Sequence, residues 1–231
     1  MNQDDLKRAA AVEAMASVRN GMVLGLGTGS TVRHFVDLLG EALESRRLSG
    51  IVGVPTSVET ERQASAAGIP LVALGDRPSV DLTIDGADEI TPTLDLIKGL
   101  GGALLREKMV AQASARLLII SDASKLVDVL GTRAPLPVEV VDWGLDAQAR
   151  FLESTGAVVT LRVTVDGSPV RSDSGHVFLD CRYPDGIGDA ADLERRLAYR
   201  AGVVDSGLFL GMVDEAVVAF SDGVRTLRSV A

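Results

Sequence analysis

Between Ile84 and Lys108 the chain reads IDGADEITPTLDLIKGLGGALLREK. Two carboxylates (Asp85, Asp88), a lysine (Lys98), a glycine-rich bend (Gly99, Gly101, Gly102) and a further glutamate (Glu107) fall within it. A carboxylate can accept a carbon-bound proton, and a nearby cation can steady the negative charge that develops. The stretch holds no metal-ligand cluster and no serine or cysteine nucleophile. Proton transfer on a small polar molecule is the chemistry these residue types serve. Read alone, Asp85 and Asp88 also fit an Asx-type turn, and Glu107 and Lys108 fit a solvated helix surface.

A second motif lies upstream. Gly25-Leu26-Gly27-Thr28-Gly29-Ser30-Thr31 follows an apolar strand and opens a helix. Glycines permit close backbone approach, and the unpaired N–H groups of a helix start attract anions, a phosphate above all. A tight strand-to-helix turn with no ligand fits the same residues. A dinucleotide fingerprint does not, because the spacing is G-x-G-x-G and the next strand, IVGVPTS, ends without an acid. No Gly-Lys-Ser/Thr follows, so a P-loop is also disfavoured.

The elements that must hold these residues alternate. A helix is expected over 4–18, then the strand MVLGLG and a helix that Ser30 and Thr31 are placed to cap. IVGVPT, LVAL, VDLTID and RLLIIS read as further strands, with helices at SVETERQASAAG and from about Ala103 to Ala115. This alternation predicts an α/β fold, a doubly wound, mostly parallel, Rossmann-like sheet whose strand ends carry the loops above. The rhythm changes near Gly131. From there the order strand, helix, strand, strand, helix, strand predicts a smaller α+β, ferredoxin-like lid domain. The expected division is 1–130 plus 205–231 for the catalytic domain and 131–204 for the lid. Asp222-Gly223 between two apolar runs signals a closing hairpin.

Composition narrows the function. The 231 residues carry a net charge of −9, which argues against a nucleic-acid or anionic-membrane surface but not against a phosphorylated small molecule. A single cysteine, Cys181, excludes an internal disulfide framework and is expected in a buried strand. His34 and His176 have no histidine or cysteine neighbour at ligand spacing, so any base is expected to be a carboxylate. No apolar run approaches about 20 residues and no signal-peptide layout is present, so a cytoplasmic protein is expected.

The motifs LGLGTGST, IDGADEI, IKGLGGALLREK, SDASKLV and PLPVEV, in this order, resemble those of the ribose-5-phosphate isomerases of the A type. The resemblance implies an aldose–ketose isomerase acting on D-ribose 5-phosphate and D-ribulose 5-phosphate through an enediolate, without cofactor or metal. It implies that Glu107 accepts the proton, with Asp85 and Lys98 also catalytic. It further implies substrate binding by Thr28, Gly29, Ser30, Thr31, Asp85, Gly86, Ala87, Asp88, Lys98, Gly99, Leu100, Gly101 and Lys125, with Lys7 assisting at the phosphate. A homodimer or homotetramer is implied as well. One departure stands out: Leu100 occupies a position that is commonly glycine, and would be strained if that position needs φ > 0. Two rivals remain open. An amino-sugar phosphate isomerase/deaminase would need an acid–base histidine, and a non-catalytic sugar-phosphate sensor of a transcription regulator would need a basic helix-turn-helix segment.

Overall fold

Apolar runs that alternate with helical stretches build a parallel sheet, because parallel neighbours need a crossover and a helix supplies it. The computed structural model describes residues 2–76 and 79–228. In chain order the elements are α1 (Gln3–Ala14), β1 (Val23–Leu26), α2 (Ser30–Glu44), β2 (Val52–Pro55), α3 (Val58–Ala66), β3 (Leu82–Asp85), β4 (Glu89–Ile90) and β5 (Leu96–Ile97). There follow α4 (Leu104–Gln112), β6 (Leu117–Asp122), β7 (Leu136–Val140), α5 (Leu145–Glu153), β8 (Val158–Leu161) and β9 (Val177–Arg182). The last are α6 (Ala190–Ala198), β10 (Val203–Ser206), β11 (Leu208–Phe209), β12 (Glu215–Phe220) and β13 (Gly223–Arg228). The chain forms two units, Met1–Ala87 with Arg106–Lys125 and Met212–Ala231, and Asp88–Leu105 with Leu126–Gly211.

The first unit is built on a six-stranded sheet in the order β13-β12-β6-β3-β1-β2. Every pair is parallel except the β12–β13 hairpin. The parallel strands therefore run β2-β1-β3-β6-β12, the flavodoxin-like order, whose ligand crevice opens between β1 and β3. Strand residues alternate between faces. Leu24, Leu26, Leu82, Ile84, Leu118 and Ile120 pack against Ala10 and Ala14 of α1 and Val32 and Phe35 of α2. On the opposite face Val54 and Val80 pack with Val110 of α4. Both faces are thus covered, as doubly wound sheets require.

The second unit has a four-stranded antiparallel sheet in the order β10-β7-β9-β8. With α5 after β7 and α6 after β9, this is the ferredoxin-like arrangement. Leu152 of α5 and Leu193 and Leu197 of α6 pack on Val138, Leu179 and Cys181. A three-stranded sheet, β11-β5-β4, belongs to the same unit. The Glu89 carboxylate, fully buried, accepts hydrogen bonds from the backbone N–H groups of Gly131 (2.5 Å), Arg133 (2.6 Å) and Ala134 (2.7 Å). That nest fastens the turn preceding β7 to the short strand β4.

Local expectations fail in identifiable ways. Ser30 and Thr31 do not cap α2; Gly29 occupies the cap position at φ 119° and no side chain bonds there. LVAL forms no strand: Leu71 makes one isolated bridge to Gly53, and Leu74–Asp76 closes into a 3-10 turn. The final hairpin turns through Ser221-Asp222, one residue earlier than expected, with Phe220 opposite Gly223.

Candidate active site

The loops after β1, β3 and β6 all leave the carboxyl edge of the parallel sheet. Gly27 to Ser30 and Asp85 to Ala87 meet at the switch point between β1 and β3. Asp85 is buried, and its Oδ1 accepts from the backbone N–H of Thr28 (3.1 Å) and of Gly86 (2.7 Å). Hydrogen bonds to an ionised acceptor are the strong kind, so the carboxylate is held in one orientation. Gly27 makes room for it: a Cβ at Gly27 would lie 2.2 Å from Asp85 Oδ1 and 2.7 Å from its Cα.

Strand parity assigns the carboxylates to opposite faces. Leu82 and Ile84 face α1 and α2, so Thr83 and Asp85 point to the α4 side, where Thr83 Oγ1 bonds Ser114 Oγ at 2.6 Å. Glu107 sits in the first turn of α4 and is buried, at 4% exposure. Burial removes the reading of Glu107 as a solvated helix charge. Asp122 ends β6 with the opposite parity, and its Oδ1 accepts from the backbone N–H of Ser124 (2.9 Å). Burial pushes the Asp122 carboxyl up, but hydrogen bonds from Ser124 and Gln3 and the Lys125 charge outweigh it and hold it below its ordinary 3.8. On the α1 side, Lys7 Nζ donates to Ser30 Oγ at 2.9 Å. Lys7, Ser30 and Lys125 therefore give the α1 side cations and a helix start, while Asp85 and Glu107 give the α4 side its acids.

The Thr28 hydroxyl lies 2.8 Å from Thr56 Oγ1, 2.8 Å from Ser57 Oγ and 3.2 Å from Thr60 Oγ1. Thr60 Oγ1 donates in turn to the Gly27 carbonyl (2.8 Å). Thr56, Ser57 and Thr60 are all buried and brace the glycine turn from the start of α3. Sequence reasoning missed them; the available signal was the hydroxyl run PTSVET at a strand-to-helix junction.

The Lys98 to Gly101 segment leaves a different sheet. It follows β5 in the second unit, not a strand of the parallel sheet. Lys98 is buried, its N–H donates to the Gly207 carbonyl (2.9 Å), and its Nζ lies 5.5 Å from the Phe209 ring centroid. Leu100 carries no strain: Gly99 (φ 98°) and Gly102 (φ 80°) take the left-handed positions, and Leu100 is not among the positive-φ residues. Its N–H donates to Asp88 Oδ2 at 3.0 Å and its side chain is 40% exposed. Asp88 thus spends one oxygen on the loop itself.

Both histidines are engaged elsewhere. His34 Nε2 bonds Asp4 Oδ1 (2.9 Å) and His176 Nδ1 bonds the buried Glu139 (2.9 Å). Cys181 is buried in β9, and burial, with the Asp180 charge, pushes its thiol up to about 12. Among the described residues no group of three His, Cys, Asp or Glu is arranged to hold a metal. Nor is any described helix long and apolar enough to cross a membrane.

The fold is that of a doubly wound α/β protein whose β1–α2 glycine turn meets the buried Asp85 at the switch point, where such sheets bind their ligands. The model of ribose 5-phosphate isomerase A (phosphoriboisomerase A) matches residues 52–223. The ribose-5-phosphate isomerase A of Chloroflexus aurantiacus is 52% identical over 219 residues, 95% of this chain and 91% of the relative. That of Gloeobacter violaceus is 51% identical over 232 residues, 100% and 99% of the two chains. A solved D-ribose-5-phosphate isomerase in complex with phospho-erythronic acid superposes with a TM-score of 0.96 at 38% identity, covering 99% of this chain and 100% of that one. The ribose 5-phosphate isomerase A structure from Methanocaldococcus jannaschii gives a TM-score of 0.92 at 39% identity, covering 97% and 99%. This chain belongs to the ribose 5-phosphate isomerase A family.

Proposed function

We propose that the chain interconverts D-ribose 5-phosphate and D-ribulose 5-phosphate through an enediolate, as an enzyme of the pentose phosphate pathway. The observation that carries the reading is the buried Asp85 carboxylate, fixed by Thr28 and Gly86 N–H groups at the rim of the anion cradle. From aldose to ketose, Glu107 removes the proton from C2 of the open-chain sugar. The C–H electron pair forms the C1–C2 double bond, and the carbonyl electrons move onto O1. Lys98 stabilises that oxyanion, which is where preorganised charge contributes most. Asp85 transfers the hydroxyl proton from O2 to O1, and protonated Glu107 returns its proton to C1. Atoms and charge balance, and both carboxylates end as they began. Gly29 to Thr31, Lys7 and Lys125 anchor the phosphate, so that remote binding energy positions the reacting carbons. Gly86, Ala87, Asp88 and the Gly99 to Gly101 bend line the sugar.

The ligand of the solved relative supports this reading chemically. That relative is in complex with phospho-erythronic acid, a phosphorylated sugar acid, which is the class of ligand this reading requires. Cytoplasmic location and a homodimer or homotetramer belong to the same reading, the latter measurable by light scattering on the purified protein.

The test is a coupled assay with ribose 5-phosphate. Glu107→Gln preserves shape and removes the base, and kcat is expected to fall by about 10²- to 10⁴-fold with KM little changed. Near-wild-type turnover in that variant would end the assignment of Glu107. Activity is expected to persist in chelator.

A further inference from the structure

The geometry points to Arg162 as a positioning residue that sets the shape of the Lys98 loop; the inference rests on the isomerase reading and adds a residue to it. Arg162 directly follows β8, and its N–H donates to the Phe178 carbonyl of β9 (2.9 Å). Its guanidinium faces three things at once. Nε and Nη2 form a two-point pair with Asp180 (2.9 and 2.5 Å), and the Phe178 ring lies 4.7 Å below. Nη1 donates to two successive carbonyls, those of Gly99 and Leu100, at 3.1 Å each. Phe178 also lies beneath Gly102, where an added Cβ would stand 3.7 Å from the ring.

This is a clamp with a direction. Asp180 fixes the plane of the guanidinium, a rigid fork that lysine cannot reproduce. The remaining nitrogen then dictates where two consecutive carbonyls of the loop point. The two carbonyls belong to peptide planes joined at Leu100, so a donor shared between them fixes how those planes are turned. Leu100 is gripped on both sides, its N–H by Asp88 and its carbonyl by Arg162. Lys98 sits immediately before that grip. Arg162 therefore acts on the reaction through the loop, without touching the reacting carbons. Only 14% of its side chain is exposed, and the bond to Gly99 is partly buried while that to Leu100 lies at the surface.

The experiment combines hydrogen exchange and kinetics on the full chain for Arg162→Ala, Arg162→Lys and Asp180→Asn. Peptides covering residues 98–103 are expected to exchange faster in Arg162→Ala, while those of the β12–β13 hairpin keep wild-type rates and report an intact fold. With ribose 5-phosphate, kcat is expected to fall by about tenfold or more and KM to move much less, as misplacement of a catalytic group predicts. Added guanidinium ion at millimolar concentration is expected to restore part of the turnover, and Arg162→Lys to restore little. Asp180→Asn keeps the arginine but loosens its plane, and is expected to move both readouts in the same direction by less. Unchanged exchange over 98–103 overturns the clamp whatever the activity. Faster exchange with unchanged kcat overturns its role in the reaction. An inactive wild-type protein instead overturns the isomerase reading, and the exchange data alone then decide whether the clamp exists.

Discussion

Gly27→Ala is the sharpest perturbation the first unit allows, because the effect is steric alone. Gly27 is not among the positive-φ glycines, so alanine can adopt its backbone angles. The added methyl would lie 2.2 Å from Asp85 Oδ1, 2.3 Å from its Cγ and 2.7 Å from its Cα. Rotating the carboxylate relieves the first two contacts but not the third, which is backbone. Overpacking of this kind costs about 1–3 kcal/mol. Turning Asp85 away also weakens two hydrogen bonds to a charged acceptor, each worth roughly 1.5–3 kcal/mol when fully formed. Partial loss of both gives a destabilisation of about 2–4 kcal/mol, or a fall in Tm of roughly 5–15 °C for a chain of this size. On activity, an Asp85 displaced by about an ångström is expected to cost on the order of 10²-fold in kcat/KM. Thermal melts and the ribose 5-phosphate assay read both. The double variant Gly27→Ala/Asp85→Ala removes two of the three clashes, so its Tm is expected above the sum of the single effects. A Gly27→Ala protein with wild-type Tm and kcat/KM within a factor of two would mean that Asp85 does not need the space Gly27 leaves.

Two further outcomes follow from the buried acids. Glu89→Ala strands three backbone N–H groups and is expected to destabilise the protein by at least about 3 kcal/mol in denaturant unfolding, with Glu89→Gln intermediate. Asp122 has a folded pKa below its ordinary 3.8, so it contributes stability that is present above that value and lost as pH falls through the folded pKa. Asp122→Asn is therefore expected to flatten the acid limb of the stability–pH curve below about pH 4, with little change in slope near neutrality, measured by urea unfolding at stepped pH.

What the sequence made legible was local or periodic. The strand-turn-helix at Val23–Glu44 could be read because the glycine turn and the apolar strand are contiguous. The ferredoxin-like order from Leu136 to Ser206 followed from element types and their succession. The Thr28 hydroxyl cluster was only half legible: the run PTSVET marks hydroxyls at a strand-to-helix junction, but their partner stands 28 to 32 residues away. Glu89 reads as one more acid in a loop; only the structure shows it collecting the N–H groups of Gly131, Arg133 and Ala134, within the unit that joins Asp88–Leu105 to the antiparallel sheet. Leu100 would be strained only if its position needed φ > 0, and the backbone there does not. Gly99 and Gly102 carry the unusual angles, and neither Leu100 nor Gly101 between them does. The failed cap at Ser30 has a chemical reason too: its hydroxyl is taken by Lys7, and Gly29 leaves the N-terminal amides open.

The sheet order has a consequence for how the chain is made. β6 lies between β3 and β12, and its core is the run Leu117 to Ile120. A ribosome releases β3 and β6 early, yet β12 emerges only after the whole of the second unit, which is complete at Gly211. Throughout that interval the newborn chain exposes an apolar strand with one unpaired edge, the feature that invites pairing with another chain. The antiparallel unit can finish folding first, and the parallel sheet must wait for its final strand. Slow or interrupted synthesis between residues 125 and 215 is where this protein is most open to aggregation, long before any substrate could steady it.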